Sequence, residues 1–181
     1  MTRIRPLERE NMNSEQIAIY DEIVAKGGRL GGPYTAYIQI PRFMKLNQEM
    51  GNYLRSNTLD PRLRQLAAII TIRYWGAKFA WAMNAKDAIE QGLLPDVVEA
   101  INNRQRPAFG KEDEEVVYDV VNELLSEKAV SDETYSRSAD TLGEETLVDL
   151  IVTTGFFSMV SMTLVSFNID PPPNAEQQLI D

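Results

Sequence analysis

From Leu150 to Phe167 the chain carries no charged side chain. An uncharged run of that length is either a membrane span or the central helix of a packed helical domain. Thr153, Thr154, Gly155, Ser158, Ser161, Thr163 and Ser166 interrupt it, and no basic residues follow it. A span with so many polar groups and so bare a flank fits poorly, so the run reads as a buried helix from about Glu144 to Phe167. Its apolar residues, Leu147, Leu150, Ile151, Phe156, Phe157, Val160, Leu164 and Phe167, spread around more than one helical face. Such a helix must be covered on several sides, which a small domain with few helices does poorly alone. A homo-oligomer is therefore expected, and Gly155, Ser158 and Ser161 would let a neighbouring helix approach closely.

The remainder punctuates into helices. Asn13, with Gln16 three residues on, has the form of a capping box ahead of Ile17, Tyr20, Ile23 and Val24. Gly27-Gly28 stops that helix, and GGRLGGP at 27–33 reads as a turn. Pro41 opens a second helix and Asp60-Pro61 a long helical region that Gly92 closes. Pro95 starts a short helix through Ile101, and 104–111 is a connector. Glu112, Asp113, Glu114 and Glu115 then crowd the start of another helix, where negative charge complements the dipole; they read as a solvated helix start rather than a cation site. Ser131 caps a short helix before the long one at 144–167. No alternating run of useful length and no internal repeat occurs, so the expected class is all-α. One domain spans 1–173, with Asp170-Pro171-Pro172-Pro173 ending it and 174–181 forming a mobile C-terminal tail.

Two missing residue types narrow the chemistry. The chain has no cysteine and no histidine, which removes thiolate catalysis, disulfides, cysteine zinc sites, imidazole relays and serine–histidine triads. Acids outnumber bases 27 to 18, for a formal charge of -9, which opposes binding to nucleic acid or to anionic membrane surfaces. The GGRLGGP loop lacks the Lys-Ser/Thr of a phosphate-binding loop, and no dinucleotide fingerprint is present. No metal and no cofactor is expected. The start, Met1-Thr2-Arg3-Ile4-Arg5-Pro6, has no apolar stretch behind its arginines, so the reading is cytoplasmic.

The densest segment runs from Arg73 through Tyr74, Trp75, Gly76, Ala77, Lys78, Phe79, Ala80, Trp81, Ala82 and Met83 to Asn84. In a continuous helix, positions 73, 77, 80 and 84 fall at i, i+4, i+7 and i+11 and share one face. That face carries Arg73 and Asn84 with two alanines between them, which leaves room for a ligand. Alternatively, the alanines mark a helix crossing and Asn84 bridges buried backbone.

The motif R-x-W-G-A-x-F-x-W at 73–81, followed by A-x-x-x-G-L at 88–93 and preceded by G-R-x-x-G-P at 28–33, resembles the carboxymuconolactone decarboxylase family of the AhpD-like superfamily. The resemblance implies an all-helical fold around a helical hairpin core, assembled as a homotrimer or hexamer. It also implies departures. Gln65 stands where the family usually has an acidic residue. Ala77 and Ala80 stand where peroxidase members carry their two cysteines, and decarboxylase-like members commonly have Glu at the second. Asn84 stands where the family has a relay histidine.

On this resemblance Gln65, Asn84 and Tyr74 become the catalytic candidates. Arg73, Ala77, Ala80, Trp81 and Tyr34 become the substrate-binding ones. Arg73 would hold a substrate carboxylate, while Gln65 and Asn84 would stabilise a developing enolate through directed N–H groups. A proton would come from Tyr34, Tyr37, Tyr74, Lys78 or water. The expected activity is that of a decarboxylase, lyase or isomerase acting on a small carboxylate-bearing molecule. The alternative is a catalytically silent homologue that serves as a small-molecule or protein binding module. A thiol peroxidase is ruled out by the absence of cysteine.

Overall fold

The computed structural model describes residues 2–26 and 31–180. After a 3-10 turn at Arg9–Asn11, the helices are α1 (Ser14–Ala25), α2 (Tyr34–Tyr37), α3 (Pro41–Ser56), α4 (Pro61–Trp75), α5 (Lys78–Glu90), α6 (Pro95–Asn102), α7 (Glu112–Ser126), α8 (Asp132–Leu142) and α9 (Glu144–Ser166). No strand occurs among the described residues, so the class is all-α as expected. The caps explain most of the boundaries. The Asn13 side chain accepts from the Gln16 N–H while the Gln16 side chain accepts from the Asn13 N–H, both at 2.9 Å. Asp60 accepts from Arg62 N and Ser131 from Thr134 N, leaving fewer helix-start donors without partners.

The core is built on α4. It packs along α9 on one side and against α5 and α7 on others, and Leu66, Ile69, Ile72, Trp81, Val117, Val120 and Leu150 are buried in the cluster it organises. Ion pairs from Arg62 to Asp113 (2.6 Å) and to Glu114 fasten α4 to the start of α7. The acidic start of α7 is therefore not wholly solvated, because Glu114 is buried. Among the described residues α9 alone is long and apolar enough to cross a membrane. One side of it, including Leu150, Thr153 and Leu164, is buried in this core, while Val148, Ile151 and Met162 stay exposed.

Helices α1–α3 gather around a second, smaller cluster of Met12, Ile19, Ile23, Tyr37, Ile38 and Met44. This N-terminal lobe is tied to the core by separate bonds. Tyr37 Oη meets Thr163 Oγ1 at 3.1 Å, Tyr53 donates to Asp149, and Arg64 donates to the Leu54 carbonyl at 3.0 Å. At its start the Arg3 N–H and guanidinium donate to the Phe167 and Ser166 carbonyls at the end of α9. Residues 27–30 of the glycine-rich loop lie outside the described residues. Gly32, just beyond them, has a φ of +55°, and a Cβ there would run into the Phe79 ring.

The C-terminal segment does not leave the body as a mobile tail would. Leu179 is buried, the Ile180 N–H donates to Asn102 Oδ1, Asn102 Nδ2 donates back to the Gln178 carbonyl, and Lys86 pairs with Glu176. An apolar anchor two residues from the end, bracketed by one asparagine, holds it to α6.

Candidate functional site

Between the N-terminal lobe and the core lies a cleft of about 720 Å³, within the size range of small-molecule sites. Gln65 reaches it from α4 and Asn84 from α5, joined by Tyr34 of α2 and Asn47 of α3. Phe156 and Phe157 of α9, packed edge to face with ring centroids 5.5 Å apart, form an apolar wall with Leu54. Arg55 and Arg64 supply cations, and Asp87 a carboxylate one helical turn beyond Asn84.

Two polar atoms beside this cleft, Gln65 Oε1 and Asn47 Nδ2, are buried without a hydrogen-bond partner among the described residues, and Asn47 is only 4% exposed. Asn84 Nδ2 donates to the Ala80 carbonyl at 2.8 Å. An amide has two N–H hydrogens and a carbonyl oxygen, so that bond leaves donor and acceptor capacity for a ligand. Desolvation and repulsion from Glu90 push the Asp87 carboxyl above its ordinary pKa, against the pull of Lys86. Burial and the neighbouring Arg55 push the Arg64 guanidinium downward, although arginine remains charged in any working pH range. At the mouth Lys26 is neutralised by Glu22 at 2.7 Å.

The structure divides the residues singled out from sequence. Gln65, Asn84 and Tyr34 share this cleft. Arg73 and Tyr74 do not. They line a separate cavity of about 340 Å³ with residues of α6 and α7. The cause is Gly76, which ends α4 in the left-handed region at φ +67°, so that α5 restarts at Lys78 behind Ala77 as its N-cap. Positions 73 and 84 therefore never share a continuous helical face. Along α4 itself, eight residues separate Gln65 from Arg73, about 12 Å of rise. Ala77, Ala80 and Trp81 are buried in the core and do not line the cleft. Trp81 is fully buried in that core.

The proposed proton donors divide in the same way. Tyr37 is buried against Thr163, Tyr74 is contacted by Lys128 Nζ at 3.2 Å, and Lys78 lies against the C-terminal segment. Only Tyr34 borders the cleft. Sequence reasoning missed Asp87, Arg64 and Asn47. The i, i+3 spacing from Asn84 could have found Asp87, and adjacency to Gln65 could have suggested Arg64. Nothing local points to Asn47, which arrives from the other lobe.

Residues 41–123 match the model of the carboxymuconolactone decarboxylase family. No curated protein matches the sequence. Among solved structures, the chain is similar to an uncharacterized peroxidase-related protein with an alkylhydroperoxidase AhpD core from Ralstonia eutropha JMP134. The TM-score is 0.77 at 12% identity, covering 95% of this chain and 93% of that one. An uncharacterized peroxidase-related protein from Silicibacter sp. TM1040 gives 0.76 at 15% identity, covering 99% and 96%. A protein of unknown function from Agrobacterium tumefaciens, described as a candidate AhpD antioxidant-defence protein, gives 0.68 at 19%, covering 76% and 95%. At these identities the likeness shows the fold alone.

Proposed function

From the match of residues 41–123 to the carboxymuconolactone decarboxylase family and from the chemistry of the cleft, we propose that the chain is a member of that family and a lyase or isomerase acting on a small carboxylate-bearing molecule. The observation that carries this reading is one shared cleft. It brings two amides with open hydrogen-bonding capacity, a carboxyl of raised pKa and two guanidinium groups against an apolar wall. The chemistry suggested by the AhpD-like neighbours does not transfer to this chain as thiol peroxidation, since it has no cysteine.

In this proposal Arg64, with Arg55 beside it, holds the substrate carboxylate by charge-assisted bonds. When a carboxyl group leaves as carbon dioxide, the electron pair of the broken C–C bond moves into the adjacent carbonyl. The enolate oxygen so formed accepts N–H bonds from Gln65 and Asn84. Protonated Asp87 then delivers its proton to the carbon, and water reprotonates it. An isomerase would use the same groups, with the Asp87 carboxylate removing the proton and returning it at another carbon. The competing reading is a silent binding homologue, favoured by the bond that Asn84 already makes to its own helix.

Turnover and binding separate the two. A panel of short unsaturated carboxylates is assayed by carbon dioxide release and by ultraviolet absorbance. Asp87→Asn should abolish turnover of any active member, at least 100-fold, with its binding retained, and Arg64→Gln should weaken binding. The wild-type rate of a decarboxylation should fall as pH rises past the displaced Asp87 value, and that of an isomerisation, which needs the carboxylate as base, should rise. Full activity in Asp87→Asn overturns the role of Asp87; binding without turnover across the panel returns the chain to the silent reading.

The exposed side of α9 bears on assembly. Val148, Ile151 and Met162 recur along it, beside Leu46, Met50 and Tyr53 on the exposed side of α3. Tyr53 bonds to Asp149 of α9, so the two helices meet at that end. A second copy of the chain covering this face is the assembly we propose.

A further inference from the structure

The cavity that separates Arg73 and Tyr74 from the cleft has the make-up of a site in its own right. It lies where α4, the end of α6 and α7 meet. Its walls are largely apolar and aromatic, with Ile70, Ile101, Leu125, Tyr74 and Tyr118 beside the amides of Gln105 and Asn122, and its cations are Arg73 and Arg104. No carboxylate of the described residues lines it, in a chain whose net charge is -9. The nearby acids on α7 are engaged elsewhere, because Asp119 pairs with Arg106 and Arg137, and Glu115 with Arg106.

The backbone at Arg104 adds a separate observation. It sits just beyond α6 with φ +58°, and the hydrogen bonds from Arg104 N to the Ile101 carbonyl and from Gln105 N to the Ala100 carbonyl close a Schellman turn. Glycine is the usual residue at that left-handed position, since a side chain there is strained. An arginine there is a destabilising choice, and its guanidinium makes no ion pair among the described residues. Its side chain instead lines the cavity. Arg73 is different in kind, since it is 6% exposed and set into the wall.

We propose that this cavity is a second small-molecule site, distinct from the cleft, and that it takes an organic carboxylate with a flat or branched apolar body. Arg104 meets the carboxylate at the mouth, and the tyrosine rings and aliphatic side chains enclose the body. A guanidinium pairs with carboxylate or phosphate alike. The apolar walls select the carboxylate, because a phosphate would leave its remaining oxygens against hydrocarbon.

Benzoate is the probe, titrated by calorimetry into the intact chain, into Arg104→Gly and into Arg64→Gln, with inorganic phosphate as the competing ligand. Arg104→Gly removes the cation and relieves the left-handed strain, so it should weaken benzoate binding at least 10-fold while melting at or above the wild-type temperature. Arg64→Gln, which alters only the cleft, should retain this binding event, so failure here and failure of the cleft reading are separable. Benzoate that does not bind, or that binds Arg104→Gly as well as wild type, overturns the proposal. Phosphate that binds at Arg104 and displaces benzoate completely overturns the choice of ligand class.

Discussion

Asp149 offers the sharpest test of how the two lobes are held over the cleft. It projects from α9, is 3% exposed, and accepts hydrogen bonds from the Tyr53 hydroxyl, from Thr58 Oγ1 at 2.7 Å and from the Thr58 N–H at 2.9 Å. Those donors sit at the end of α3 and in the turn before α4, so one carboxylate joins three elements that frame the site. Asp149→Asn keeps the shape but replaces one oxygen by an N–H donor, which then faces the donors of Thr58. Hydrogen bonds to a charged group contribute about 1.5–3 kcal/mol each, and an orphaned buried donor costs about 1–3 kcal/mol. Because Asn retains one acceptor and the bonds share a centre, a net loss of about 3 kcal/mol is expected. For a domain of this size that lowers the melting temperature by about 6–12 °C.

The pH dependence of the same variant gives the sign. Burial pushes the Asp149 carboxyl up, but the bonds from Tyr53 and Thr58 outweigh it, so the folded pKa lies below the ordinary 3.8. A depressed folded pKa stabilises the fold above the unfolded value, and that stabilisation is lost as pH falls through the folded one. The gap between wild type and Asp149→Asn should therefore be full at pH 7 and should narrow below 3.8. Calorimetric melts at both ends of the range measure it. A variant melting within about 2 °C of wild type at neutral pH, or a gap unchanged in acid, would refute the reasoning.

Gly32→Ala should destabilise the fold by about 1–3 kcal/mol, read by chemical denaturation. A Cβ at φ +55° would stand 2.3 Å from Phe79 Cε1, so the ring must move. Light scattering should give a mass that is a multiple of 20.5 kDa, and Val148→Glu with Met162→Glu should reduce it towards the monomer. A wild-type mass of one chain across a wide concentration range would sink the assembly reading.

Most helices were legible in the sequence because their signals are local. The capping box at Asn13, proline at the first turn of α3, α4 and α6, and the glycine at 92 each act within a few residues. The site was only partly legible, and one residue explains much of the difference. Gly76 was read inside a continuous helix, yet it turns the chain through a left-handed C-cap. Counting turns across it misplaces Arg73, which lines another cavity, while Asn84 lines the cleft and Ala77 and Ala80 are buried in the core. Gln65 and Asn84 do line one cleft, a juxtaposition across two helices that the resemblance implies and turn counting along one helix does not. Asn47 and the α9 phenylalanines were out of reach, since their approach depends on lobe packing with no short-range signature.

The retained cleft argues against a site that has merely decayed. An open cleft of about 720 Å³ lies between the lobes. Gln65 Oε1 and Asn47 Nδ2, buried beside it without a partner among the described residues, each carry a cost of about 1–3 kcal/mol. Water alone could satisfy both amides, but it would not account for Phe156, Phe157 and Leu54 beside them, whose apolar surface is better covered by hydrocarbon. An occupant that fits the cleft has a carboxylate end for the arginines and the open amide N–H groups, an apolar portion for the rings, and a carbon beside Asp87. That combination describes the proposed substrate class more closely than either a metabolite phosphate or a bare anion.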